Sequence, residues 1–235
     1  MRFSIVVPCY NEEENIPLIL DRFSQSIKDR SDIEVILVNN GSTDNSEAVL
    51  SELLPGYPFA RCVNVEVNQG YGFGILSGLK QAEGEFIGWT HADMQTDPAD
   101  VIKAADIIAQ NNFDKTIFVK GNRKGRSVFD VFFTVGMSFY ESLYLGQRLW
   151  DINAQPNLFS RIFFESWEDP PYDFSLDLYA LYLAGKNQCR LIRIPVRFPK
   201  RIHGSSKWNT GLGAKRKFIK RTLDFSKALK KRGVR

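Results

Sequence analysis

Cysteine is scarce in this chain of 235 residues, and long apolar runs are missing. The three cysteines, Cys9, Cys62 and Cys189, lie far apart, which excludes a disulfide framework and a zinc site. No stretch reaches the roughly 18 apolar residues of a membrane-spanning helix. The first residues also lack the basic and apolar regions of a secretory signal. These absences predict a protein of the reducing cytoplasm.

Charge is distributed unevenly along the chain. The net charge is +4, but the segment from Gly204 to Arg235 carries +10, so the remaining body carries −6. A basic tail on an acidic body predicts an anionic partner for the tail alone. The tail contains no recognisable nucleic-acid-reading module, so we predict no nucleic-acid partner.

Apolar runs and helical patterns alternate through the first half of the chain, which predicts successive βα units. The strands are predicted at 3–8, 34–38, 61–67 and 86–90, and the helices at 13–28, 45–54, 72–82 and 99–111. Further strands are predicted at 116–120, 156–160 and 190–198, with helices at 127–145, 175–184 and 212–231. This order predicts an α/β fold with a mostly parallel, doubly wound sheet. We expect a single domain over 1–210 and a basic amphipathic helix over 211–235.

Polar or glycine-rich segments follow each of the first four predicted strands. They are Pro8–Glu13, Asn39–Asp44, Asn68–Gly74 and the segment after Thr90. Ligands of open α/β sheets bind outside the carboxyl ends of the strands, and glycines let backbone approach a ligand closely. The four loops together therefore predict a ligand site at this edge of the sheet. Asp97, ahead of Pro98, is predicted to cap the next helix.

Six segments carry a resemblance to a known family: VVPCYNEEENI, VNNGSTDNS, NQGYGFGILSGL, GEFIGWTHADMQTDP, VKGNRKGRS and RIHGSSKW. In this order, between residues 5 and 208, they resemble family 2 glycosyltransferases of the GT-A fold, in the branch that includes dolichyl-phosphate mannose synthases. The resemblance implies an inverting enzyme that takes a sugar from a nucleotide-sugar donor. It places the donor half at about 1–122 and the acceptor half at about 123–210. The donor-binding residues it implies are Pro8, Tyr10, Glu12, Asn40, Asn68, Gly72, His91, Ala92 and Asp93.

The segment after the fourth strand is where the resemblance implies a divalent metal, Mn²⁺ or Mg²⁺, bound to the donor's diphosphate. The family usually has two aspartates one residue apart; here Asp93 and Gln95 match, but His91 replaces the first aspartate. Imidazole suits Mn²⁺ better than Mg²⁺. His91 is therefore a metal ligand, a polar contact to the donor, or a structural residue. Asn40 also replaces an aspartate that contacts the base, which leaves the base open.

The acceptor half has two sets of candidate residues. The resemblance implies a phosphate-binding role for two sets of residues: Arg123 and Arg126, and then Arg201, Ser206 and Lys207. It implies that Arg201 is also catalytic. A hydroxyl acceptor instead needs a general base, for which Asp173 and Asp177 are the candidates; both also fit as charges at a helix N-terminus. The acceptor is thus a polyprenyl phosphate or a lipid-linked or surface glycan hydroxyl. A nucleotide-sugar-binding protein without turnover is the third interpretation.

The terminal segment places Phe218, Phe225 and Leu229 at helical spacing among basic residues. This pattern is typical of a helix that lies on an anionic membrane surface. The aromatic-rich segment 127–145 would supply an apolar shelf beside it. The alternative is that both faces pack on the core. We expect a cytoplasmic protein, peripheral at the inner face of the cell membrane.

Overall fold

The computed structural model describes residues 1–126, 128–199 and 212–232. Its strands form one sheet of seven: β1 (Phe3–Cys9), β2 (Ile33–Asn40), β3 (Ala60–Val65), β4 (Phe86–Trp89), β5 (Ile117–Lys124), β6 (Asn157–Ser160) and β7 (Arg190–Arg197). The helices are α1 (Ile16–Ile27), α2 (Ser46–Leu53), α3 (Tyr71–Gln81), α4 (Pro98–Gln110), α5 (Val128–Leu145), α6 (Arg161–Glu165), α7 (Leu176–Lys186) and α8 (Leu212–Arg232). A short 3-10 turn, Leu54–Gly56, follows α2.

The sheet has the order β3-β2-β1-β4-β6-β5-β7. Pairs β1–β2, β1–β4, β2–β3 and β5–β7 are parallel, whereas β6 runs antiparallel to both β4 and β5. The predicted mostly parallel α/β sheet is therefore confirmed. Since all strands except β6 point the same way, the carboxyl ends of β1, β2, β4 and β5 lie at one edge of the sheet.

Two apolar layers cover the two faces of this sheet. Strand β1 alternates between them: Ile5 and Val7 face a layer that includes α1 and α4, while Val6 faces one that includes α3 and α7. Trp89 of β4 belongs to the second layer and is fully buried. Burial on both faces explains why these strands read as continuous apolar runs.

Helix α4 begins as the sequence predicts. The Asp97 carboxylate accepts a hydrogen bond from Ala99 N at 2.9 Å, which satisfies one of the free amides of the first turn. Asp97 also forms an ion pair with Arg22 of α1 at 2.7 Å. The capping role predicted for Asp97 is confirmed.

Helix α8 packs against the body of the protein. Leu229 is buried, Phe225 contacts Tyr179 edge-on, and Ser226 Oγ donates to the Glu141 carboxylate of α5 at 2.6 Å. At Phe225 and Leu229 the structure therefore favours the alternative in which the apolar side of this helix packs on the core. Within the described ranges, no helix is long and apolar enough to cross a membrane.

Candidate functional site

The loops after β1 and β2 are fastened to each other. Thr43 N donates to Asn11 Oδ1 at 2.8 Å, Asn45 N donates to the Glu13 carboxylate at 2.9 Å, and Glu12 N donates to Ser46 Oγ at 2.9 Å. These bonds fix the backbone that carries the predicted donor-binding residues Pro8, Tyr10 and Glu12. The Glu12 carboxylate itself accepts from Asn15 Nδ2 at 2.5 Å.

Asn40, at the end of β2, reaches the glycine-rich loop that precedes α3. Its Nδ2 donates to Gly70 O at 3.0 Å, and Asn68 Oδ1 accepts from Gly70 N at 2.8 Å. Asn40 Oδ1 is buried and has no hydrogen-bond partner among the described residues. The two predicted donor residues Asn40 and Asn68 therefore hold one loop between them.

Gly72 meets backbone from the acceptor half of the chain. A Cβ on Gly72 would lie 2.5 Å from Pro171 O, a contact that no side chain tolerates, and Phe73 N donates to Tyr172 O at 3.0 Å. The close approach of the segment 171–173 accounts for the glycine without a ligand. It also places Asp173 beside the donor loop.

The loop after β4 is closed by hydrogen bonds around Asp93. Asp93 is buried and accepts from Gln95 N at 3.1 Å, while the Thr90 and Thr96 hydroxyls lie 3.0 Å apart. Gln95 Nε2 donates to Pro199 O at 3.0 Å, so the end of β7 is fastened to this loop. Ala92 packs into the apolar core.

His91 lies against an aromatic ring of α3. Its imidazole stacks on Tyr71, with ring centroids 5.7 Å apart and an interplanar angle of 30°. Among the described residues, no group of three or more His, Cys, Asp or Glu side chains is arranged to hold a metal. The candidate ligands Asp93, His91 and Gln95 all come from one loop, and only Asp93 among them is a carboxylate. This donor set fits a metal that arrives with a diphosphate, whose oxygens supply further ligands.

A buried polar network that the sequence analysis missed lies below these loops. Asp177 accepts from Gln155 Nε2 at 2.9 Å and from Asn157 Nδ2 at 3.1 Å, and it lies 3.8 Å from Lys120 Nζ. Lys120 also donates to Asn157 Oδ1 at 2.5 Å and to Ala154 O at 3.0 Å. All four side chains are buried. Asp177 is consequently enclosed by protein donors.

Burial lowers the pKa of Lys120 to about 7, against the attraction of Asp177, which raises it. A buried amine is costly to charge unless it is paired and hydrogen-bonded. The only sequence signal for this group is a lysine within the otherwise apolar stretch Ile117–Gly121. Spacing alone does not show that Lys120 and Asp177 meet.

Arg123 and Arg126 converge on Asp151. Arg123 donates to the Asp151 carboxylate from its backbone N at 2.7 Å and from Nε at 2.9 Å, and Arg126 Nη2 lies 3.7 Å from it. Burial alone would raise the pKa of Asp151, but the charge and hydrogen bonds of Arg123, then the charge of Arg126, hold it below its ordinary value. The structure therefore brings the two predicted phosphate-binding arginines together.

These arginines line a cavity of about 300 Å³ at the carboxyl end of β5. Its polar lining also includes Lys124, and its apolar lining is Val131, Val135 and Trp150. Arg123 stacks on Phe198, whose neighbour Pro199 accepts the hydrogen bond from Gln95. The cavity is therefore linked through the end of β7 to the Asp93 loop.

Asp173 has a different environment from Asp177. Its carboxylate accepts from Ser175 N at 2.8 Å, lies 3.2 Å from Arg221 Nε of α8, and is 36% exposed. Of the two candidate bases, Asp173 is the one that faces solvent. The predicted residues Arg201, Ser206 and Lys207 lie outside the described residues.

Curated relatives match about half of the chain. An undecaprenyl-phosphate 4-deoxy-4-formamido-L-arabinose transferase of Yersinia enterocolitica is 32% identical over 126 residues, which cover 52% of this chain and 38% of that protein. The transferase of the same name from Pseudomonas fluorescens is 36% identical over 126 residues, 52% of this chain and 36% of its own length. The chain thus spans less than two fifths of these relatives.

Solved structures match nearly the whole chain. A glucosyl-3-phosphoglycerate synthase from Mycobacterium tuberculosis, with Mn²⁺ and UDP-glucose, has a TM-score of 0.66 at 19% identity, covering 96% of this chain and 78% of that one. A mannosyltransferase from Pyrobaculum calidifontis, with GDP-Man and Mn²⁺, has a TM-score of 0.64 at 21% identity, covering 86% and 58%. These likenesses confirm the GT-A fold. The family model described as glycosyl transferase family 2 matches residues 4–167, and the chain belongs to this family.

Proposed function

We propose that this chain transfers a sugar from a nucleotide-sugar donor to a polyprenyl phosphate at a membrane surface. The observation that carries the proposal is the cavity where Arg123 and Arg126 meet the apolar residues of α5. An acceptor with an anionic head and an apolar tail matches both the basic and the apolar residues that line this cavity. The curated relatives are named as undecaprenyl-phosphate transferases, which supports the same class of acceptor.

The donor lies at the carboxyl ends of β1, β2 and β4 in this proposal. Asn40 has its amide nitrogen engaged by Gly70 and its buried Oδ1 without a partner among the described residues, an arrangement suited to accepting from a base. Asp93 closes the same edge of the sheet. Solved neighbours with UDP-glucose and GDP-Man support a nucleotide-sugar, but leave the base and the sugar open.

Asp93 would hold a divalent metal, Mn²⁺ or Mg²⁺, with His91 and Gln95 as further candidate contacts. When bound, the metal neutralises the charge that develops on the departing nucleoside diphosphate. Gln95 Nε2 donates a hydrogen bond to Pro199 O, so Gln95 would contact the metal through Oε1. The predicted residues Arg201 and Lys207 would supply the remaining positive charge for the leaving group.

Arg123 and Arg126 bind the acceptor phosphate in this proposal, and Asp151 holds their guanidinium groups in place. Two arginines against one carboxylate leave a net positive charge for an anion. A phosphate oxygen attacks the anomeric carbon opposite the diphosphate, the bond from that carbon to the diphosphate breaks, and the nucleoside diphosphate departs. The attacking phosphate carries no proton to be removed, so this reaction needs no general base.

A hydroxyl acceptor is the second candidate, and the exposure of Asp173 favours it. Asp173 lies beside the donor loop because Gly72 packs on the segment 171–173. As a general base it would take the hydroxyl proton as the new glycosidic bond forms. Asp177 is less suited to this role, since its carboxylate is buried among Gln155, Asn157 and Lys120.

The surface that meets the membrane in this proposal is α5 rather than the apolar side of α8. Phe132, Phe139 and Leu143 lie on one side of α5 and are 78%, 65% and 69% exposed. The exposed lysines and arginines of α8, the helix packed beside α5, would face anionic headgroups. The protein would thus be peripheral at the cytoplasmic face of the cell membrane.

A donor-hydrolysis screen tests the donor half of the proposal. UDP-, GDP- and dTDP-sugars are supplied with Mn²⁺ or Mg²⁺ to the wild type, to Asp93→Asn and to the control Asp97→Asn, which changes a capping carboxylate four residues away. We expect turnover of one donor class, its loss by at least about 100-fold in Asp93→Asn, and wild-type turnover in the control. Equal turnover in Asp93→Asn would contradict the proposal, and binding without turnover in the wild type would favour the non-enzymatic interpretation.

A further inference from the structure

Tyr71 lies between two other rings. Phe174 stacks on it with ring centroids 4.6 Å apart and an interplanar angle of 13°, and His91 lies against it at 5.7 Å and 30°. His91 is two residues before Asp93 on the loop after β4. The three rings therefore link the start of α7 to the loop proposed to receive the diphosphate.

The hydroxyl of Tyr71 is fastened to the buried polar network. Gln155 Nε2 donates to it at 3.2 Å, while Asn157 Nδ2 donates to Gln155 Oε1 at 2.7 Å. Burial, then the charge of Asp177, raises the pKa of Tyr71 well above its ordinary value, so the hydroxyl remains protonated. The ring plane of Tyr71 is thus fixed at its edge as well as on its face.

Helix α8 supports the far end of the stack. The Arg221 guanidinium lies 5.4 Å from the ring centroid of Phe174, and its Nε lies 3.2 Å from the Asp173 carboxylate. A guanidinium over an aromatic face is attracted by the ring quadrupole. Phe174 is therefore held between Arg221 and Tyr71.

We propose that Tyr71 is a positioning residue, which fixes the imidazole of His91 beside Asp93 before the donor binds. The proposal rests on the proposed function, since it names what prepares the same diphosphate-binding loop. A ring held in one orientation needs no ordering when the ligand arrives, and this lowers the entropic cost of binding. Outer residues that orient a ligand-binding side chain typically change affinity 10- to 100-fold when they are lost.

The two histidines of the chain make His91 directly observable. In a His203→Gln background the only remaining imidazole is His91, so its ring-proton NMR signals are assigned without ambiguity. We expect Tyr71→Leu to move these signals toward the positions of a free histidine, because the neighbouring ring is gone. Tyr71→Phe keeps the ring and should retain the wild-type positions.

Nucleotide binding supplies the second readout. Calorimetry with Mn²⁺ and the nucleoside diphosphate of the active donor should give a dissociation constant about tenfold higher in Tyr71→Leu. Tyr71→Phe should stay within about threefold of the wild type. The steady-state counterpart is a rise in KM for the donor that exceeds the fall in kcat. Phe174→Leu is the second variant, because it removes the ring behind Tyr71 and should shift the His91 signals in the same direction.

The proposal is overturned if Tyr71→Leu or Phe174→Leu, folded by the criterion of its unfolding transition, leaves the His91 signals and the nucleotide affinity unchanged. It is also overturned if Tyr71→Phe is as impaired as Tyr71→Leu, because the hydroxyl and not the stack would then be responsible. Failure of the proposed function looks different: the wild type itself would bind no nucleotide, while the His91 signals would still respond to Tyr71→Leu.

Discussion

Two aspartates near the candidate site differ because of their surroundings. Asp173 is part-exposed and lies against Arg221, whereas Asp177 is buried and accepts hydrogen bonds from two amide side chains. A carboxylate enclosed in this way is not accessible to an acceptor molecule from solvent. Its role is to compensate the buried amine of Lys120, and that role has a measurable consequence for stability.

Lys120→Met should lower the free energy of unfolding by about 3–5 kcal/mol, because it leaves the Asp177 charge buried without its cation. Adding Asp177→Asn to this variant should recover part of the loss. The measurement is urea unfolding at about pH 6, where Lys120, with its pKa lowered to about 7, carries most of its charge. Lys115→Met is the control, since Lys115 is half exposed and pairs with Glu85 at the surface; it should cost no more than about 1 kcal/mol. Equal costs for the two lysines would contradict the assigned role of Asp177.

For single residues, the sequence predicts a role in the site where the residue stands in a recognised motif. It does not predict contacts between residues that only the packing of the fold brings together. Asp93, Arg123 and Arg126 stand in recognisable segments, and the structure places each at the carboxyl edge of the sheet. Tyr71 stands in a recognisable segment, but no pattern assigns it a role, and Lys120 stands in an apolar strand. Their partners His91 and Asp177 lie 20 and 57 residues away in the chain, so only the folded sheet shows the contacts.

Helices α5 and α8 meet through a buried carboxyl group. Glu141 is fully buried, its Oε2 accepts from Ser226, and its Oε1 has no hydrogen-bond partner among the described residues. Burial raises the pKa of Glu141 above its ordinary value, against the effect of the hydrogen bond from Ser226. The folded state therefore favours the protonated carboxyl group.

A pH dependence follows from the direction of this shift. The stabilisation is complete below the unfolded-state pKa and is lost as the pH rises through the folded-state pKa. Glu141→Gln mimics the protonated group, so its melting temperature should exceed that of the wild type by a margin that grows as the pH rises from the unfolded-state pKa through the folded-state pKa. Each kcal/mol corresponds to about 2–4 °C for a chain of this size. The exposed Glu165→Gln is the control, and a margin that does not change with pH would refute the assignment.

The exposed side of α5 gives a test of membrane contact. Phe132→Ser with Phe139→Ser should weaken binding to vesicles with anionic lipid by about tenfold, because two large apolar side chains no longer leave water. Sedimentation with the vesicles measures it. Ile162→Ser changes an exposed apolar residue on α6 and should have no effect. Unchanged sedimentation of the double variant would assign any membrane contact to α8 alone.

Element positions are predictable where one pattern dominates. The first four βα units follow from buried strands that alternate with amphipathic helices, and each lies within a few residues of its predicted bounds. The antiparallel direction of β6 was not predicted, because a strand of four residues shows no direction in its sequence. For α8 the amphipathic pattern was read correctly as a helix. The pattern does not distinguish an apolar face that contacts lipid from one that packs on α5 and α7.

At the scale of the whole molecule, one sheet carries both halves of the proposed site. Strands β1, β2 and β4 lead into the proposed donor loops, while Arg123 lies in β5 and Arg126 follows that strand. The hydrogen bond from Gln95 to Pro199 connects the two at the same edge. A phosphate held at the arginines would thus lie at the same edge of the sheet as a diphosphate held at Asp93. The central claim is therefore that the acceptor reacts through a phosphate group.

That claim is tested most directly with two acceptors that differ only in the phosphate: a polyprenyl phosphate and the corresponding polyprenyl alcohol. Each is supplied in detergent with the radiolabelled donor found in the hydrolysis screen, and label in the lipid fraction is measured. We predict transfer to the phosphate and none to the alcohol, with loss of transfer in Asp93→Asn. Equal transfer to the alcohol, or donor hydrolysis without transfer to either lipid, would contradict the account.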